Sequence, residues 1–437
     1  MGFKLLSRSG AAQSQTTLES LQCHFTWNLD QNWPRCLRLR EKLEDMAAEE
    51  GNRWLGHIYN LQGFIQYKLG LNEDAKASFS KAAEAFHELR HADEGPWLLV
   101  NYGSLAWLHH NLGDEAESQA YLSKVDALMK NHPSPSQGEL HPEVYAEKAW
   151  TLIYFGADRK VVADYFEKAI RMQPDMVEWN TSHVLSLVSV QEHSSTGVED
   201  DLLEKMREAK EQDPEDLYLA ALYLKQRAKR GEGIEDEARE FAKNNLGSLG
   251  RSYKGMRVLL KVYKCHLSVD EAIAMAERVL KIHPHKRGLK RCAALCYSWK
   301  LLLSGRDFLE PAMIDRAISL HEEVVSLYPH SPFLKKIDLA TVYAKSRPHQ
   351  AQAKQIYEEL LQSDLEPADK QLLYNAYAKY LYFDLQDFNG SVQYHMRAAA
   401  IPEKNYFSGN SIRVLEKIRE KGKHPMCQDI EEFLQNL

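Results

Sequence analysis

Long apolar runs are missing from this 437-residue chain. The stretch Val184–Val190 is among the longest, and a bilayer-spanning helix needs roughly 20 such residues. With a mean hydropathy of -0.50, the chain is not expected to insert in a membrane. Cysteine is scarce, six residues in all, and no two form a C-x-x-C pair. Zinc-site spacing and a disulfide framework are therefore both absent, and reduced thiols in the cytoplasm are expected. Strand signals are also nearly absent: no alternating β-branched runs are bounded by Asn-Gly or Asp-Gly. Catalytic signatures are missing as well. There is no G-x-x-x-x-G-K-S/T loop and no dinucleotide fingerprint, and neither G-x-S-x-G nor H-E-x-x-H occurs. Histidines are scattered, and the pair flanking Pro284, His283 and His285, falls in an inter-helix turn. Neither an enzyme, a metal site nor a cofactor is expected.

The chain is ordinary in its apolar (44%) and charged (27%) fractions, which excludes global disorder. Charge is unevenly placed. The whole chain carries -7. Arg251 to Lys300 holds twelve Lys/Arg against Asp270, Glu271 and Glu277, so it carries 12 − 3 = +9 and the remainder -7 − 9 = -16. A concentrated basic segment attracts an anion locally, because screening leaves the near field dominant. A solvated helix face explains the same charges equally well.

Helical periodicity runs throughout, with Pro and Gly mostly between helices. An internal repeat follows. One unit has Gly63, Gly70 at the turn, Ala75, Phe79 and Ala82. A second has Tyr102, Gly113, Leu122 and Val125; a third has Trp150, Phe166, Ala169 and Pro174; a fourth has Leu259, Tyr263, Ala272, Ala276, Val279 and Pro284. Weaker copies cover Ala317–Pro329, Ala353–Leu360 and Ser391–Ala398. These offsets are those of the 34-residue tetratricopeptide unit, a pair of antiparallel helices. A lone pair cannot bury both faces, so units stack into a superhelix whose concave side is lined by the first helix of each unit. The expected fold is an all-α tetratricopeptide-repeat solenoid. The expected divisions are a flexible tail over 1–17, an N-terminal repeat region over 18–247 with irregular inserts, and a C-terminal repeat region over 248–437 carrying the basic segment. Register breaks are expected at Lys130–Glu147, Ser194–Gly197 and Arg230–Gly233.

The string LQCHFTWNL (21–29), followed by WLLVNYGSLAWLHHNLG (97–113), EAESQAYLSKV (115–125), HPEVYAEKAWTLIYFG (141–156), FEKAIRMQP (166–174) and SVDEAI (268–273), goes beyond the generic repeat consensus. With these strings the chain resembles, over nearly its whole length, the interferon-induced proteins with tetratricopeptide repeats. The resemblance implies a cytoplasmic, interferon-inducible antiviral effector of innate immunity. Its solenoid would close around a basic channel holding the 5′ end of single-stranded RNA, bearing a triphosphate or a cap. Association with itself or with other family members is implied too.

Carried over by the resemblance, Trp150 and Leu185 would flank a cap base and Glu178 would sit in the same pocket. Tyr218 would contact RNA, and Arg257, Lys261 and Lys264 would meet phosphates from one helix face. Arg38 and Lys42 fall where the family places a basic or polar residue and a glutamine. Arg291 falls where it has a histidine. Two departures stand out: Tyr154 and Ser189 occupy positions where basic residues grip the 5′ phosphates. Losing both removes two charge-assisted clamps: either other basic residues such as Lys42 replace them, or a different RNA end or a protein partner is preferred. Packing competes as an account of Trp150 and Tyr218, and Phe25 and Trp27 are expected in the core. The competing function is a protein-interaction scaffold of the same fold whose basic segment meets acidic peptides.

Overall fold

The computed structural model describes residues 15–29, 33–90, 95–191, 197–303, 310–403 and 405–437. Of the tail expected over 1–17, residues 1–14 lie outside this set, and 15–17 belong to a helix at residues 15–20 (α1). Most of the break expected at Ser194–Gly197 also lies outside it.

Among the described residues the chain is helical without strands. The order is α2 (Trp33–Ala47), α3 (Leu55–Lys68), α4 (Asn72–Arg90), α5 (Leu99–Asn111), α6 (Glu115–Asn131), α7 (Pro142–Tyr154), α8 (Arg159–Met172), α9 (Val177–Val190), α10 (Asp200–Gln212), α11 (Leu217–Lys229), α12 (Glu235–Asn244), a single turn α13 (Leu246–Leu249), α14 (Tyr253–His266) and α15 (Val269–Ile282). Then come α16 (Arg287–Leu303), α17 (Pro311–Leu327), α18 (Pro332–Tyr343), α19 (Gln350–Gln362), α20 (Pro367–Phe383), α21 (Phe388–Ala400), α22 (Tyr406–Lys421) and α23 (Cys427–Gln435). None of these is long and apolar enough to cross a membrane.

Helices pack in sequential pairs, α3 on α4, α5 on α6 and α7 on α8, as the tetratricopeptide pattern requires. The pattern's small residues set the spacing. A Cβ added at Gly63 would lie 2.9 Å from the Phe79 ring, so glycine there lets the fully buried Phe79 ring lie against the α3 backbone. First helices end alike. Gly70, Gly113 and Gly231 have φ of +77°, +79° and +84°. The amide after each donates back to Gln66, His109 and Arg227 respectively, at 2.9, 2.9 and 3.2 Å. This left-handed glycine closure satisfies carbonyls that the helix leaves open. Helices also often begin with a side-chain cap: Asp114, Asp158 and Asp216 accept from the backbone amides of Glu117, Lys160 and Leu219. Each such cap is worth about 1 kcal/mol. The proline-rich connection before α7 is shorter than expected, because Pro142 begins that helix, where its missing N–H costs nothing.

The chain divides into two compact units, residues 1–289 and 290–437, at a point inside α16. The sequence-based division at 247/248 falls inside α13. The first unit's core runs from Leu18 to Trp179 and includes Cys23, Trp27, Phe64, Phe79 and Phe166, with Phe25 packed against it. A second cluster around Val184, Met206 and Leu219 continues the stack. In the second unit, Leu301, Ala353, Tyr357 and Leu373 share one core, and Val392, Leu415 and Ile430 share another.

Candidate nucleic-acid interface

Within the first unit, one recess gathers side chains from α2, α7, α11 and α14. Its hub is Tyr154, the last residue of α7. Lys42, on α2, holds its ammonium 4.5 Å from the centre of the Tyr154 ring. Lys254, on α14, donates to the Tyr154 hydroxyl at 3.2 Å. The same Lys254 stands 5.7 Å from the Tyr154 ring centre and 6.0 Å from that of Tyr218 on α11. Cations over aromatic faces are attracted by the ring quadrupole. Tyr154 thus seats two lysines from other helices.

Lys42 is solvent-accessible, yet surrounding protein depresses its pKa. Desolvation is the main cause, and Lys254, Arg257 and Arg159 add like-charge repulsion, bringing it to about 8. Glu49, in the α2–α3 loop, is raised to about 7 by burial, against the pull of Lys254. Burial likewise raises Asp216. For Lys254, burial pulls the pKa down while Tyr154, Tyr218 and Glu49 pull it up, and the net direction is up. Of these three, Glu49 is the one carboxylate. Four cations therefore face two carboxylates held toward their neutral forms, and the recess is cationic.

Long-range bonds tie the two ends of this unit together. Glu49 accepts the Tyr253 amide at 3.1 Å, and Glu50 pairs with Arg251 at 3.2 Å and Lys286 at 3.7 Å. Arg287 donates to the Glu41 carbonyl at 2.7 Å and pairs with Glu44 and Asp45. The basic segment is thus split in role: Arg287 straps α2, Arg251 and Lys286 hold its following loop at Glu50, and Lys290 pairs with Glu323, while Arg257 and Lys261 stay exposed.

Beside the recess lies an aromatic slot. Trp150, one helical turn before Tyr154, is 4% exposed and packed in the core. Trp54 lies nearly parallel to it, with centroids 5.8 Å apart and planes at 12°. Tyr154 approaches it at 4.8 Å, inclined by 60°. Behind Trp54 sits fully buried His57, 4.7 Å from Trp54. Neither His57 ring nitrogen has a hydrogen-bond partner, and burial holds its pKa well below the ordinary value. Glu178, at the start of α9, is buried against Arg90 at 2.5 Å.

The structure thus brings together Lys42, Tyr218 and Arg257, with Trp150 and Glu178 in the adjoining slot. Arg38, one turn before Lys42, is exposed, and Lys261 and Lys264 continue the α14 face beyond Arg257. Leu185 packs against the second cluster. Ser189 donates to the Ser186 carbonyl at 2.7 Å. Arg291 belongs to the second unit. Three participants escaped the sequence reading: Lys254, Arg159 and Trp54. Lys254 has the signal that marked Arg257, a basic residue on a first helix, but at a different angle of that helix. Arg159 begins a second helix, and Trp54 lies in a loop, so neither follows the repeat register.

No family model matches the chain. Curated relatives do. It is 23% identical over 431 residues to human protein IFIT1 homolog B, covering 95% of this chain and 90% of that protein. It is 25% identical over 434 residues to the antiviral innate immune response effector IFIT1 of Macaca fascicularis, covering 96% and 90%. Over nearly its whole length the chain is similar to the interferon-induced proteins with tetratricopeptide repeats. Solved IFIT structures share its fold. One is a human IFIT1 dimer with m7Gppp-AAAA, at TM-score 0.71 and 22% identity over 97% of this chain and 96% of that one. Another is a human IFIT1 dimer with PPP-AAAA, at TM-score 0.67 and 23% identity over 94% and 91%.

Proposed function

We propose that this chain is an antiviral effector that binds single-stranded RNA at its 5′ end, holding the terminal phosphates in the Tyr154 recess. Binding sequesters foreign RNA or blocks its translation, without a chemical step. The observation that carries the reading is the convergence of Lys42, Arg159, Lys254 and Arg257 around one site, in a fold shared with IFIT1 structures that hold PPP-AAAA and capped AAAA. A phosphate chain supplies the negative charge that four such cations lack. The exposed α14 residues Arg257 and Lys261, followed by Lys264, extend the same sign of charge along the path of a backbone, and Tyr218 offers a ring to a base. In this reading the solenoid closes around a basic channel and works in the cytoplasm, and self-association follows the dimeric state of the human IFIT1 structures.

The test is a titration of a single-stranded oligoribonucleotide with a 5′ triphosphate at two salt concentrations. Binding should weaken steeply with salt. Replacing Arg257, Lys261 and Lys264 together should lower the slope of log K against log salt by about 2, at about 0.7 per phosphate contact on a single strand. Absence of RNA binding would move the weight to the acidic-peptide scaffold.

A further inference from the structure

A 5′ cap places a base beyond the phosphates, so a capped end needs an aromatic face next to the cationic recess. Trp150 is the buried ring in that position, one turn from Tyr154 on the same helix. Its face is already taken. Trp54 stacks on it at 5.8 Å and 12°, within the range of a good offset stack, and 4% exposure leaves no area for a second ring.

Trp54 is held there by its own loop. Its amide donates to the Asn52 side chain at 3.0 Å, and the Asn52 amide group donates to the Met46 carbonyl at 3.1 Å. The loop is anchored in turn by the bonds of Glu49 and Glu50 to the region around α14. The plug therefore needs no ligand to stay in place.

The wall behind the plug is polar and under-used. His57 has two unpartnered ring nitrogens, and the Arg90 Nε and Trp179 Nε1 groups are also buried without partners. Orphaned buried polar atoms are uncommon, and several lie around this one slot. His57 contacts Trp54, and Arg90 both pairs with Glu178 and lies 5.0 Å over Trp97, itself 6.0 Å from Trp179. They are the kind of groups that read the edge of a base.

Taking the proposed RNA reading as given, we propose that Trp54 is a specificity-determining residue that fills the base slot of this chain, so that it selects phosphorylated, uncapped 5′ ends and rejects capped ones. The cationic recess serves the phosphates, and the plugged slot denies the cap base its stack.

The experiment compares one oligoribonucleotide with a 5′ triphosphate and with a 5′ guanosine cap, against the wild-type chain and Trp54→Ala. The wild type should favour the triphosphate by about tenfold or more, the order that one lost base stack gives. Trp54→Ala should shrink that ratio by strengthening capped binding, because it opens onto Trp150 and His57. Should Trp54→Ala fail to fold, Trp54→Val, which still clears the ring from the face of Trp150, carries the same expectation. Wild-type binding of capped RNA as tightly as triphosphate RNA would overturn this inference and leave the RNA reading standing. An unchanged ratio in the folded variants would equally overturn the role of Trp54. Binding of neither RNA by any of these proteins would overturn both.

Discussion

The Lys42 ammonium stands 4.5 Å from the centre of the Tyr154 ring, joining α2 to the end of α7 across more than a hundred residues of sequence. Lys254 donates to the same residue's hydroxyl at 3.2 Å. Tyr154 is thus the seat of two lysines from other helices.

Removing the seat should therefore cost binding although no charge is removed. Tyr154→Ala takes away both the ring under Lys42 and the acceptor for Lys254. Its affinity for triphosphate RNA is expected to fall about tenfold, as two cation–π contacts of about 0.5–1 kcal/mol each would give. Tyr154→Phe keeps the ring and should fall less. An unchanged affinity in Tyr154→Ala, measured by fluorescence anisotropy on protein with native circular dichroism, would contradict the seating role.

Binding should also depend on pH, with a sign fixed by Lys42 and Glu49. A bound phosphate favours a charged Lys42 and a protonated Glu49. Lys42 loses its proton through about 8 and Glu49 through about 7. Affinity for triphosphate RNA should thus weaken as pH rises from 6 to 9. Glu49→Gln should flatten the lower part of that profile and Lys42→Arg the upper part. A profile rising with pH would contradict the assignment.

A second titrating pair lies in the core and bears on stability alone. His24 is fully buried and depressed to about 3, and Glu147 is raised to about 8, both mainly by desolvation. At neutral pH both are neutral, so their 3.9 Å approach is not an ion pair. They are instead part of a polar network: Thr151 meets His24 at 3.2 Å, Asn60 donates to Glu147 at 2.9 Å, and Asn101 donates to Asn60 at 2.7 Å. The raised Glu147 contributes stability present in full below its unfolded value near 4.5 and lost as pH rises through about 8. The depressed His24 makes stability rise as pH climbs from about 3 to its unfolded value of 6.5. Glu147→Gln keeps an acceptor for Asn60 and should melt higher than the wild type at pH 9, with the gap shrinking toward pH 6. A gap that widens toward pH 6 would refute this.

Repeat packing makes its own prediction at Gly63. Gly63→Ala puts a methyl group 2.9 Å from the Phe79 ring, and the ring is fully buried with little room to retreat. Overpacking of this kind costs about 1–3 kcal/mol, readable as a lower denaturant midpoint. Gly409→Ala, whose Cβ would meet nothing within 4 Å, serves as the control and should show no such loss.

The repeat architecture was legible because its determinants are local and periodic. Gly63, Phe79 and Ala82 recur at fixed offsets, and Gly70 and Gly113 mark turns by the backbone they require. The site was only partly legible. Arg257, Lys261 and Lys264 share a helix face that spacing reveals, and the resemblance pointed to Lys42. Lys254 was hidden because its neighbours on that helix looked equivalent, and only folding puts it on Tyr154. Trp54 was hidden for another reason: its role depends on a loop conformation set by Asn52, with no period to read. The net basic count from Arg251 to Lys300 overstated the free charge, since Arg251, Lys286 and Arg287 are engaged with acids of α2 and its following loop.

The central claim is that the recess around Tyr154 recognises the 5′ phosphates. It is tested most directly by comparing 5′-triphosphate and 5′-hydroxyl versions of one RNA on the wild type and on Lys42→Ala. The account predicts that the wild type prefers the triphosphate and that Lys42→Ala loses most of that preference while binding the hydroxyl RNA nearly as before. An equal loss for both RNAs, or a preference untouched by the substitution, would contradict it.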